Sequence, residues 1–377
     1  MANIAIPTDP GDLTLETLNR LVGDHIPEAS FSDFRITESH QVGLGLASSA
    51  GRICIDVDYA DGSPADLPTR IVLKVARADL ADPLRPDPIA GAAGALYRNE
   101  LNIYRHIDPA RFLESPAFLG GTYDRDTNSL LMMIEDLRPR GVTFPHVNVP
   151  TSLARMQSLL DQLAILHARY WNSAELAASS SWMQSHIRGD IHDQFVSPHV
   201  LPPHISGELA AEQFKREMVE RLGTDANGLF QQVHRLQRHQ AFLPRTLCHG
   251  DTHIGNTYRL PDDSGGLYDW QLASQGYCVH DVSYLIATGL TIAERRQHER
   301  ELLSFYLDRL RARGGNEAPS FDELWLEYCR AMVWGVYIGW LITPVINYGW
   351  EITVMAHLRT MTAYEDLETA RLIGALD

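Results

Sequence analysis

The stretch Leu247-Cys248-His249-Gly250-Asp251-Thr252-His253-Ile254-Gly255-Asn256, followed by Leu267-Tyr268-Asp269-Trp270, constrains this chain more than any other. It gathers two carboxylates, one amide and two imidazoles around a glycine that lets the backbone turn tightly. The apolar residues ahead of His249 predict a short strand entering a loop. Thr257-Tyr258 and Leu267-Tyr268 read as two strands joined by the polar turn Pro261 to Gly266. Asp251, Asn256 and Asp269 are then expected at the ends of neighbouring strands, where they can converge. Phosphoryl transfer needs such a set: one carboxylate to accept the proton of an attacking hydroxyl, and an amide and a second carboxylate to hold magnesium on nucleotide phosphates. A second chemistry fits some of the same residues, because His249, Asp251 and His253 could ligate the transition metal of a hydrolase. That reading leaves Asn256 and Asp269 without a task.

The spaced set His-Gly-Asp-x-x-x-x-Asn, then a hydrophobic residue and Asp, resembles the catalytic signature of the aminoglycoside phosphotransferase and choline kinase-like superfamily, distant relatives of the protein kinases. Cys248 to Asp251, Asp269-Trp270-Gln271 and His280-Asp281-Val282-Ser283-Tyr284-Leu285 are most similar to its ecdysteroid kinase-like branch. The resemblance implies an α+β, two-lobed protein-kinase-like fold. Residues 1–135 would form a small, strand-rich nucleotide-binding lobe, and residues 136–377 a larger helical lobe for catalysis and acceptor binding. It implies transfer of the γ-phosphate of ATP, with Mg2+, to a hydroxyl of a small-molecule acceptor. In those terms Asp251 is the base or hydroxyl-orienting residue, and Asn256 and Asp269 are the magnesium ligands. Asp281 supports the loop, and His253 stands behind the reacting groups. A non-catalytic nucleotide-binding protein is the remaining alternative, disfavoured because every expected polar residue is present.

Upstream, Leu15, Leu18, Leu21 and Val22 predict a helix over 12–22. Ile53, Ile55, Val57 and Tyr59 alternate as in a half-buried strand, and Arg70 to Ala76 reads as a central strand with one lysine, Lys74, inside an apolar run. A lone lysine can blunt a sheet edge, but Ile71, Val72, Leu73 and Val75 argue for an interior strand. Ala95 to Tyr104 is a helical stretch carrying Glu100. By resemblance, Lys74 neutralises the nucleotide phosphates and Glu100 orients it. Gly43, Gly45 and Gly51 stand where a nucleotide-covering loop belongs, though they match a phosphate loop poorly. No Gly-x-x-x-x-Gly-Lys-Ser/Thr sequence occurs, which disfavours a P-loop kinase. Phe118–Tyr123 and Leu130–Ile134 predict a hairpin leading into Glu135-Asp136-Leu137. That segment resembles the family's hinge, where adenine would bond to the main chain about Ile134 and Asp136, with Met133 behind it.

Beyond it, Met156, Leu159, Leu160, Leu163, Leu166, His167 and Tyr170 make a strong amphipathic pattern, with His167 read as a packed core histidine. Residues 173–206, with Ser179 to Ser181, Pro198, Pro202 and Pro203, read as irregular, a lid or acceptor-binding insertion. Helical pattern returns over about 206–238. Thr291 to Glu294 and Ser320 to Glu323 are capping boxes, the first opening a helix that ends near Gly314-Gly315. Ala331 to Ile346 reads as a buried helix, too short to span a bilayer and containing Pro344. Trp334, Tyr337, Trp340, Tyr348 and Trp350 fall where the superfamily walls its acceptor pocket, and imply an apolar or amine-bearing acceptor. No Asp-Phe-Gly or Ala-Pro-Glu segment appears, which favours a small-molecule kinase over a protein kinase. The net charge of -16 argues against nucleic acid as a partner. No targeting segment or membrane anchor is visible, and Cys54, Cys248, Cys278 and Cys329 lack metal-site spacing, so a reduced, cytoplasmic protein is expected. The sequence carries no signal for oligomeric state.

Overall fold

The computed structural model describes residues 6–7, 9–40, 50–77, 90–179, 182–314, 317–340 and 345–376. Gly43, Gly45, Ser180, Ser181, Gly315 and Pro344 lie outside the described residues, as does the side chain of Trp340. The chain divides into two compact units, Met1–Val142 and Thr143–Asp377.

In the first unit helix α1 (Leu15–His25) precedes strands β1 (Phe31–His40), β2 (Gly51–Tyr59) and β3 (Arg70–Arg77). Helix α2 (Ala90–His106) and the hairpin β4 (Phe118–Asp124) and β5 (Ser129–Glu135) follow. The sheet is antiparallel with order β1-β2-β3-β5-β4, so Lys74 lies on an interior strand. Alternation sorts the side chains onto two faces. Ile53, Ile55, Val57, Ile71, Leu73 and Met133 share one core with Leu18, Leu21 and Val22 of α1. Gly120 permits that packing, because a Cβ there would lie 2.2 Å from the Leu21 carbonyl oxygen. Lys74, one residue on from Leu73, turns to the opposite face, where it meets α2.

The second unit is helical around two small ladders. Helix α3 (Leu153–Tyr170) starts at Ser152, whose hydroxyl accepts the Arg155 amide, and its apolar stripe is fully buried as the spacing predicts. The stretch read as irregular is instead helical over much of its length: α4 (Ala174–Ala178), α5 (Asp190–Phe195) and α6 (Leu201–Ala211) occupy it. Pro202 and Pro203 misled the reading because they fall in the first turn of α6, where a missing amide hydrogen costs nothing. Helices α7 (Gln213–Arg221) and α8 (Ala226–Gln240) complete the run.

Strand β6 (Thr246–Cys248) then leads into the polar loop, followed by β7 (Thr257–Arg259), β8 (Gly265–Leu267) and β9 (Ser274–Gly276). The predicted hairpin forms, with β7 paired to β8, but the expectation that β6 neighbours it is corrected, since β6 pairs with β9. Helices α9 (Val279–Gly289) and α10 (Ile292–Ala312) follow, and α10 packs along α3. Both predicted capping boxes form, on α10 and on α11 (Phe321–Trp334). The apolar run Ala331 to Ile346 is not one α-helix: α11 passes into a π-wound turn, Gly335–Trp340, which contains two weak helix formers, Gly335 and Gly339. Short α12 (Val345–Tyr348), α13 (Trp350–Asp366) and α14 (Thr369–Gly374) close the unit. Among the described residues no helix is long and apolar enough to cross a membrane.

Candidate active site

The loop after β6 is shaped by one backbone constraint. Gly250 adopts φ 85°, and a Cβ there would lie 2.0 Å from the Leu272 carbonyl oxygen, so only glycine fits. The first turn of α9 holds this loop from several directions. The fully buried Asp281 carboxylate accepts the His249 amide at 2.6 Å, the Gly250 amide at 2.8 Å and His167 Nε2 at 3.1 Å. Thr252 Oγ1 donates to the Asp281 carbonyl at 2.7 Å, and His280 Nε2 donates to the Gly250 carbonyl at 3.1 Å. Burial alone would raise the Asp281 pKa. The hydrogen bond and charge of His167 outweigh it, so the carboxyl sits below its ordinary value.

On this support the predicted residues Asp251 and Asn256 meet. Asn256 Nδ2 donates to Asp251 Oδ2 at 2.8 Å and to the Asp251 carbonyl at 2.9 Å. The Tyr268 amide donates to the Asn256 carbonyl at 3.2 Å, which ties the approach to Asp269 to the same loop. Asp269 takes a left-handed φ of 66°, a conformation that Asp tolerates better than most residues and that recurs at functional sites. Burial, followed by the Asp269 charge, pushes the Asp251 carboxyl up to about 8. Its side chain nonetheless remains 22% exposed, open to a reactant. His253 accepts the Gly255 amide at Nδ1, so its Nε2 carries the hydrogen and points at Asp251 Oδ2, 3.8 Å away. Burial holds His253 neutral, down to about 3.

The metal-hydrolase reading of His249, Asp251 and His253 is not favoured by this geometry. Both His249 nitrogens are engaged: Nδ1 accepts the Asp251 amide and Nε2 donates to the Tyr268 carbonyl at 2.9 Å. Among the described residues, the only group of three or more His, Cys, Asp or Glu side chains placed to share an ion is His167, Cys248 and Asp281, and both Asp281 oxygens already accept hydrogen bonds. By contrast, Asn256 and Asp269 fit a magnesium ion. With Nδ2 turned to Asp251, the Asn256 oxygen is left for a cation, and with the Asp269 carboxylate the donor set is all oxygen.

In the first unit Lys74 Nζ meets Glu100 Oε2 at 2.7 Å, with both residues buried. Ile134 lies inside the sheet, paired with Val72 on one side and Phe118 on the other. The Asp136 amide donates to the Arg70 carbonyl at 3.0 Å, and its buried carboxylate is clamped by Arg138 at 2.8 Å. That amide is therefore already engaged.

The five aromatic residues do not form one wall among those described. Tyr337 is fully buried, and Trp350 is 57% exposed beside Phe214. Trp334 lies against His280, with ring centroids 4.5 Å apart. Of the four whose side chains are described, Tyr348 is the one that lies toward Asp251 and Asp269. Burial, then the charges of Asp251 and Asp269, raises its pKa, and it lies near the rings of His146 and His253. Sequence reasoning passed over His146 and Phe144, the latter half-exposed and set edge-on to Tyr268. Neither carries a local motif that would have marked it.

No curated protein matches the sequence. Among solved structures, a choline/ethanolamine kinase family protein from Mesorhizobium loti is 13% identical, covering 90% of this chain and 92% of its own, with a TM-score of 0.45. Choline kinase from Streptococcus pneumoniae is 13% identical over 88% and 94% of the two chains, with a TM-score of 0.40. An aminoglycoside phosphotransferase from Streptomyces rimosus, solved with ADP and streptomycin, is 16% identical over 78% and 91%, with a TM-score of 0.40. Likeness at this level says nothing of substrate. The sequence itself matches the ecdysteroid kinase-like family over residues 90–314, a span that takes in Glu100, the whole polar loop, Asp269 and Asp281. The chain belongs to the ecdysteroid kinase-like family.

Proposed function

We propose that this protein is a magnesium-dependent kinase that moves the γ-phosphate of ATP to a hydroxyl of a small molecule. The observation that carries the reading is Asp251, held by Asn256 beside Asp269 and pushed up to about 8. A base poised near working pH can take a hydroxyl proton as that oxygen attacks phosphorus. The new oxygen–phosphorus bond forms while the bond to the departing ADP oxygen breaks, and the proton stays on Asp251 until solvent removes it. Asn256 and Asp269 would hold magnesium, which when bound neutralises charge on the phosphates. Lys74, fixed by Glu100, would neutralise the remaining phosphate charge, and the main chain about Ile134 and Asp136 would take adenine. The acceptor is proposed to be apolar or amine-bearing, since Tyr348 and the half-exposed Phe144 offer it ring surface. Four buried free thiols suit a cytoplasmic protein. ADP formation, measured with magnesium over a panel of hydroxylated metabolites, tests the reading. ATP binding without turnover on any acceptor would instead support a non-catalytic nucleotide binder.

Two outcomes are expected from substitutions. Lys74→Met should weaken ATP binding about 10–100-fold by calorimetry, the loss of one or two charge-assisted contacts. It also strands the buried Glu100, so Lys74→Met/Glu100→Gln should recover stability without recovering affinity. Unchanged ATP titration in a folded variant would remove Lys74 from the nucleotide site. Asp269→Asn should raise the magnesium concentration needed for half-maximal turnover by roughly tenfold or more while the melting curve stays near wild type. Normal magnesium dependence would shift the ligand role to another residue.

A further inference from the structure

Taking the kinase reading as its basis, we propose that Arg359 of α13 is a positioning residue for the acceptor, which pins a strap, residues 143–149, beside the catalytic loop. The strap lies wholly in the second unit and starts on a backbone bridge, in which Thr143 and Arg259 exchange amide-to-carbonyl bonds at 2.9 Å. It ends in a turn closed by the Val149 amide on the His146 carbonyl at 2.9 Å. Within it Val147 is only 2% exposed, whereas Phe144 is half-exposed and His146 half-buried. The Phe144 ring stands edge-on to Tyr268, the neighbour of Asp269, with centroids 5.5 Å apart. His146 Nδ1 lies 3.1 Å from where a Cβ on Gly255, the neighbour of Asn256, would stand. The His146 ring also meets Tyr348, with centroids 6.1 Å apart. The strap thus sets two side chains against the residues that precede Asp269 and Asn256.

The depth of Val147 is set from a distant helix. Arg359, 6% exposed, donates from Nη2 to the Val147 carbonyl at 2.6 Å and from Nη1 to the Thr288 carbonyl at 2.5 Å. Thr288 lies in the last turn of α9, where helix carbonyls lack amide partners and the helix dipole is negative, so a cation is favoured there. The Oγ1 of the same Thr288 accepts the Ile254 amide at 3.1 Å. One residue therefore anchors both the loop that carries Asp251 and, through Arg359, the strap. Burial depresses the Arg359 pKa, and the Glu294 charge opposes that only in part. Burying a cation on neutral carbonyls is costly, and a hydrocarbon side chain would fill the same space more cheaply. What the guanidinium adds is a fixed spacing between strap and loop. Its planar fork reaches both carbonyls at once, whereas the single nitrogen of a lysine cannot take both positions.

Arg359→Lys keeps the charge and loses the fork. Two measurements on the full chain test the inference: amide hydrogen exchange over residues 143–149, and ADP formation with 3-phenyl-1-propanol and 3-amino-1-propanol as acceptors. Strap exchange is expected to quicken about tenfold, and the acceptor KM to rise about tenfold. The KM for ATP should stay within about twofold of wild type, a split that an arginine serving only stability would not produce. Unchanged strap exchange, an unchanged acceptor KM, or equal rises in both KM values would each overturn the inference and leave the kinase reading standing. A wild type that binds Mg-ATP but phosphorylates neither alcohol would overturn the proposed acceptor class and this inference together. Should Arg359→Lys not fold, His146→Ala decides by the same comparison, because it leaves both backbone ties of the strap in place. An acceptor KM raised about threefold or more supports the strap's role, and an unchanged one overturns it.

Discussion

Asp251→Asn is expected to cut phosphoryl transfer by orders of magnitude and at the same time to raise the melting temperature of the nucleotide-free protein. The two effects share one cause. Asp251 accepts hydrogen bonds from Asn256 but sits among protein groups and next to Asp269, which make its charge costly. With a folded pKa near 8 against an ordinary 3.8, the folded state prefers the protonated carboxyl. The sign then follows: the contribution is fully present below about pH 4 and is lost as pH rises through about 8. At pH 8 the wild type carries this cost, while an amide of the same shape does not. Discounted for partial exposure, the gain should be ~1–3 kcal/mol, readable as a higher melting point whose advantage shrinks toward pH 5. Turnover should fall by about 10^2–10^4, the usual reach of a lost general base. Magnesium with nucleotide should stabilise the wild type more than the variant, because added positive charge relieves the same repulsion. A variant that loses activity and also melts lower at pH 8 would show that Asp251 is a structural anchor rather than a strained base.

The residues for this prediction were legible in the sequence because they are local: Asp251 and Asn256 are five positions apart, and one hairpin returns Asp269 to them. Lys74 was legible for a different reason, since a single charge in an apolar strand has few places to go, and the interior position of β3 follows from its neighbours. What could not be read is what depends on contacts between distant segments. The pairing of β6 with β9 joins residues with no shared pattern, so a plausible strand neighbourhood was drawn wrongly. Pro202 and Pro203 look the same in a sequence whether they break a helix or begin one. Five aromatic residues spaced along one C-terminal stretch looked like one surface, yet the π-wound turn after Trp334 and the separate α13 send the four whose side chains are described to different surroundings.

The second large effect lies at Asp281, a residue that need not touch substrate. Its carboxylate holds two consecutive loop amides and the ring of His167, whose Nδ1 is in turn hydrogen-bonded to the Tyr306 hydroxyl at 2.7 Å. Asp281→Asn cannot reproduce this arrangement. The side-chain amide offers one oxygen to one backbone amide and turns its own donors toward the other, which leaves buried donors facing each other. The expected loss of stability is ~3–5 kcal/mol, the cost of breaking a buried, hydrogen-bonded charge network. Because the folded pKa of Asp281 lies below its ordinary value, the wild-type contribution is present at neutral pH and is lost on acidification below the usual carboxylate range. Well below the melting temperature, kcat should still fall by about 10–100-fold, because the displaced amides belong to the two residues before Asp251 and small misplacements are expensive in catalysis. ATP affinity should change little, since in the proposed mechanism the loop orients the attacking hydroxyl rather than the nucleotide. A double-mutant cycle with His167→Gln should give a coupling of ~1–3 kcal/mol, the mark of one shared network. Wild-type kcat in a folded but less stable Asp281→Asn protein would confine the residue to folding. Additive effects with His167→Gln would show that the ring and the loop amides are held independently.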